Sequence, residues 1–168
     1  MQGYISNSDL HIGLIDKKYS KPVRALIHRF LRPYPTGMEY IRRLDQEYKI
    51  IEQKGFVSTF HRVRDLLELI KNQNIPHVLR GSAASSLVCY QLGISDIDPI
   101  QEKIPLTRFM NWCRDTQPDI DLDVPHFIRD NLIEQFHEIH PNKVARISNK
   151  VMYKPKSAMR EAIRKFGY

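Results

Sequence analysis

Asp119, Asp121 and Asp123 stand at alternate positions with Ile120 and Leu122 between them, the spacing in this 168-residue chain best suited to chemistry. Successive side chains of a strand point to opposite faces, so the pattern predicts the acids on one face and the aliphatic pair on the other. Carboxylates packed this closely repel one another unless a cation neutralises them, and hard divalent ions, Mg²⁺ above all, take such oxygen ligands. Two ions of this kind can clamp the attacking and leaving oxygens of a phosphoryl or nucleotidyl transfer. The competing reading is an acidic edge that faces solvent and deters edge pairing. It is weakened by Ile120 and Leu122, which demand burial behind the acids. A second motif lies roughly forty residues upstream: Arg80-Gly81-Ser82-Ala83-Ala84-Ser85-Ser86. A strand ends, a glycine turns the chain, and a helix of small residues begins; free N–H groups at a helix start favour an anion. Alone, this motif reads more simply as a Gly-Ser turn with a helix cap.

The elements expected to position these residues follow from periodicity and punctuation. Residues 1–20 read as an arm or extra strand. Pro22 opens a short helix through Val23, Leu26, Ile27 and Phe30, stopped by Pro33, Pro35 and Gly37. Ile41, Leu44, Tyr48 and Ile51 give a helix from Met38, ended by Gly55. Ser58 or Thr59 is placed to cap the next, whose apolar face is Phe60, Val63, Leu67 and Ile70. His77–Arg80 reads as a strand, Ala83–Leu92 as a helix, 99–105 as a loop and Asp119–Val124 as a strand. Ile128, Leu132, Phe136 and Ile139 mark a further helix, Val144–Ser148 a strand, and Ser157–Phe166 a closing helix. Strands among helices place the chain in the mixed α/β (α+β) group.

A 42% hydrophobic share is enough for a core, and no apolar run reaches the length of a membrane span. Cys89 and Cys113 form no metal-ligand pair, which favours a reduced, cytoplasmic setting. The histidines, His11 included, show no metal spacing. The net charge of +7 points to a polyanionic partner, nucleic acid first.

From about Tyr40 to Ile147 the chain closely resembles the palm of the bacterial DNA polymerase III alpha subunit, a family C replicative polymerase of the polymerase beta-like nucleotidyltransferase superfamily. The resemblance is carried by Leu79 through Pro99, by Arg108-Phe109, Asn111 and Arg114, and by Pro118 through Asp123, which fall in register without a gap. It implies a small mixed sheet flanked by helices; with the boundary at the Pro33–Gly37 stretch, residues 1–37 read as an N-terminal arm with a short helix and 38–168 as an incomplete palm. It implies that Asp121 and Asp123 hold the catalytic Mg²⁺ ions, that Asp119 is not a ligand, and that Arg80, Gly81 and Ser82 contact the phosphates of an incoming dNTP. Asp96 and Asp98 fall where turn acids are expected.

The departures are Leu79 and Ser85, where the family has glycines, and Val124, where it has an aromatic. The two lost glycines are expected to narrow the room near the phosphates. Lys154, Lys156 and Arg160 fall in a more weakly matching segment that could reach phosphate. The family's third catalytic aspartate lies on a later strand, and the sequence stops at Tyr168 before it. The expectation is therefore a polymerase palm that needs a second polypeptide to act on DNA. The alternative is an inactive palm-like module that binds DNA, nucleotide or a replisome component.

Overall fold

The computed structural model describes residues 18–150 and 152–167. The proposed arm or strand over residues 1–20 therefore lies almost wholly outside the described residues. Helix α1 (Lys21–Ile27) carries Pro22 in its first turn, where a missing N–H costs nothing, and buries Val23 and Leu26 completely. Helix α2 (Met38–Gln53) buries Leu44, Glu47, Tyr48 and Ile51 on one stripe. Helix α3 (Val57–Asn72) buries Phe60, Leu67 and Ile70, and α1 packs on it. The core thus joins α1 to the helices beyond Gly37.

The cap expected at Ser58 or Thr59 does not form. Gly55 turns the chain at φ +70°, and the Phe56 amide bonds back to Ile51 at 2.8 Å, so α3 restarts at Val57 with Phe56 as its N-cap.

Strand β1 (Val78–Arg80) pairs antiparallel with β2 (Asp121–Asp123), and this ladder is the whole sheet among the described residues. The sheet is thus antiparallel rather than mixed. Its strands are shorter than the sequence suggests because β1 ends where Gly81 bends away at φ +82°, leaving three residues to pair.

The helix expected over Ala83–Leu92 is also divided. Residues 81–85 form a 3-10 turn, Ser86 is extended, and α4 (Leu87–Gln91) follows with the Ser86 hydroxyl accepting from the Cys89 amide. A second 3-10 turn covers Leu106–Arg108. Helix α5 (His126–Ile139) buries Leu132, whereas Ile139 at its end is exposed. Val144–Ser148 is not a strand. The stretch finds no ladder partner among the described residues, and Arg146 is tied instead to Asp130 of α5 at 3.1 Å. Helix α6 (Pro155–Lys165) buries none of its side chains.

Candidate functional site

The ladder register brings the two motifs together. Arg80 lies opposite Asp121, Leu79 opposite Leu122 and Val78 opposite Asp123. A Cβ built on Gly81 would meet a single atom within 4 Å, the Asp121 Oδ2 at 3.5 Å, so that carboxylate stands directly beside the bend. The alternation along β2 is the expected one: Asp121 and Asp123 are exposed, and Leu122 between them is half-buried. Leu122 faces an apolar cleft of about 210 Å³, shared with Leu66, Ile70, Val124, Leu132 and Phe136. Packing against α3 and α5 thus fixes which face of β2 carries the acids.

On that acidic face, the Arg80 Nε donates to both oxygens of Asp123, at 3.0 and 3.3 Å. The pair is solvated, with side chains 65% and 57% exposed, so it holds little energy and opens easily. Asp121 makes no ion pair among the described residues. Asp119 lies outside the strand, highly exposed, 3.4 Å from the Arg114 Nη2. The Ser82 hydroxyl makes no hydrogen bond among the described residues, while its carbonyl accepts the Ser85 hydroxyl at 2.7 Å. Ser85 is therefore buried inside the turn, and Leu79 packs against the core. The two departures from the family's glycines thus point inward.

The start of α4, six residues beyond Gly81, is not free. The carboxylate of Glu47, fully buried on α2, accepts from the Leu87 and Val88 amides at 2.8 and 3.0 Å and from the Ser86 hydroxyl at 2.6 Å. It takes a fourth bond from the Arg43 Nε at 2.9 Å, and the Arg43 Nη2 reaches the Ser85 and Ile104 carbonyls at 2.5 and 3.1 Å. Burial pushes the Glu47 carboxyl up; Ser86, the two amides and Arg43 pull the other way. This network anchors the back of the 81–85 turn to α2. Sequence reasoning missed it, although one signal was present: an acid interrupting the apolar stripe Leu44, Tyr48, Ile51.

Asp98 serves the turn after α4, accepting from the Ile100 and Gln101 amides and the Tyr40 hydroxyl. Asp96 is fully exposed and pairs with Arg32. Lys154, Lys156 and Arg160 are exposed where α6 begins. The Cys89 thiol is buried and its pKa raised by that burial, so it is inert, and Cys113 is exposed and free.

Among the described residues no group of three or more His, Cys, Asp or Glu could enclose a metal. The pair at 121 and 123 still suits Mg²⁺, which commonly takes one or two carboxylates and keeps its remaining ligands as water and substrate phosphate. No helix among the described residues is long and apolar enough to cross a membrane.

The family described as the bacterial DNA polymerase III alpha NTPase domain matches residues 15–168. A protein of Corynebacterium glutamicum named error-prone DNA polymerase is 39% identical over 127 residues, 75% of this chain and 12% of its own length. One of the same name from Cutibacterium acnes is 36% identical over 75% of this chain and 11% of its own. Another from Nocardia farcinica is 31% identical over 87% and 13%. The chain thus spans about an eighth of the length of these relatives.

Proposed function

The chain belongs to the bacterial DNA polymerase III alpha family, and from that premise we propose that Arg80, Gly81, Ser82, Asp121 and Asp123 form the nucleotide corner of a DNA polymerase palm. The observation that carries this reading is the ladder register, which sets Asp121 beside the Gly81 bend. The reaction is template-directed addition of a deoxynucleotide to a primer 3′ end, the class of chemistry named for the relatives. Further polypeptide supplies the rest of the polymerase, in keeping with the eighth of their length that this chain matches.

Asp121 and Asp123 would hold the Mg²⁺. Bound there, Mg²⁺ neutralises charge on the phosphates and on the attacking and leaving oxygens. The chain's own residues bind and orient. Gly81 lets a phosphate approach the backbone without a side chain in the way. The unpartnered Ser82 hydroxyl donates to a phosphate oxygen. Arg80 pairs loosely with Asp123 and is readily released from it, and its guanidinium then pairs with phosphate as readily as with carboxylate. Their contribution is positioning and electrostatics rather than proton transfer.

Calorimetry of a magnesium–dNTP titration tests this. Wild type is expected to give a saturable heat, and Asp121→Asn/Asp123→Asn to abolish it while stability changes by no more than about 0.5 kcal/mol, as at other exposed positions. Equal heats from the two proteins would refute the reading. One observation favours a second reading, a palm-like module that binds without catalysis: only two carboxylates gather on β2, and Arg80 engages one of them. In both readings the purified chain alone is expected not to extend a primer with Mg²⁺ or Mn²⁺. Extension lost on Asp121→Ala would show that two acids suffice, and would eliminate the second reading.

A further inference from the structure

The basic excess of the chain is confined to one end of it. Residues 141–168 hold eight of the 26 lysines and arginines but one of the 19 acids, so they carry +7, the formal charge of the whole chain. Residues 1–140 hold eighteen of each sign and sum to zero.

The basic stretch is also the least packed. Residues 141–150 adopt no helix or strand, and α6 buries nothing. Among the described residues Arg146 pairs with Asp130 and Arg164 with Glu161. Lys143, Lys150, Lys154, Lys156, Arg160 and Lys165 are exposed and make no ion pair there. Helical spacing sets Lys156, Arg160 and Arg164 along one stripe of α6. Six like charges with a single acid, Glu161, among them repel one another, and a polyanion relieves that repulsion by releasing its own counterions as it binds.

We propose that residues 143–150 and 154–165 are a nucleic-acid-binding arm, whose lysines and arginines contact the phosphodiester backbone without reading sequence. The choice of DNA over other polyanions rests on the polymerase reading above. The competing surface is an anionic membrane, since Met159, Ile163 and Phe166 give α6 an exposed apolar stripe beside the basic one.

The test is binding of the full chain to a primed DNA duplex across a salt series. Six backbone contacts predict a slope of log K against log salt of about −5. Lys143→Ala/Lys150→Ala/Lys156→Ala is expected to flatten that slope by about 3, one for each lost phosphate contact. Lys21→Ala/Arg42→Ala/Lys103→Ala removes equal charge from exposed positions elsewhere that make no ion pair among the described residues, and is expected to leave the slope within about 1 of wild type. Equal effects of the two triple variants, or none from either, would overturn the proposal, as would tighter binding to vesicles rich in phosphatidylserine than to DNA at the same salt. The magnesium–dNTP heat is read separately on the same proteins. A lost heat with an intact slope strikes the corner at Asp121, and the reverse strikes the arm.

Discussion

Glu47→Ala is expected to cost about 3–5 kcal/mol, the range for removing one partner of a buried, hydrogen-bonded ion pair. The carboxylate accepts from Ser86, Leu87, Val88 and Arg43, so its loss strands four donors, three of them in a buried part of the chain. Glu47→Gln keeps the volume but turns an NH₂ donor toward donors, and is expected to cost about 1–3 kcal/mol. Urea unfolding measures both. The pH dependence has a definite sign. Burial raises the Glu47 pKa in the folded chain above its unfolded value. The folded chain then binds that proton more tightly, so the stability it contributes is complete below the ordinary carboxylate range and is lost as pH rises through the raised value. The stability advantage of wild type over Glu47→Gln should shrink as pH rises above that range. An advantage that grew would mean the four donors outweigh burial.

This network marks where the sequence stopped being legible. Period and punctuation placed α2 and α3, because each buries a continuous stripe that the sequence spells out locally, and placed α5, which buries Leu132. The Asp-x-Asp alternation likewise foretold which face of β2 carries the acids, since Leu122 needs cover that α3 and α5 provide. Glu47 could not be read in the same way. Its partners at Ser86, Leu87 and Val88 lie 39 to 41 residues away, and nothing local distinguishes a capping acid from an exposed one except its place in an apolar stripe. The same distant acid explains the divided helix. Residues 83–92 have helical composition, but Ser86 is held extended while Glu47 takes the amides that follow it. Val144–Ser148 failed for the opposite reason, because a strand needs a neighbour and composition does not reveal whether one is free.

Gly81 offers the sharpest separation of fold from site. At φ +82° an L-residue is strained, and Gly81→Ala is expected to lose about 1–2 kcal/mol of stability for that reason alone. The new methyl would also stand 3.5 Å from the Asp121 Oδ2, an ordinary contact that needs no rearrangement but covers the carboxylate on the side from which, in the proposed corner, a phosphate would approach. Gly55 provides the control. Its φ is +70° and a Cβ there meets nothing within 4 Å, so Gly55→Ala carries comparable strain without touching the site. Both variants should unfold at lower urea than wild type by similar amounts, while only Gly81→Ala loses the magnesium–dNTP heat. Gly81→Val, β-branched, should be worse on both counts. If Gly81→Ala bound nucleotide as wild type does, the bend would be a feature of the fold alone. If Gly55→Ala lost binding equally, backbone strain rather than the space beside Asp121 would be what the nucleotide senses.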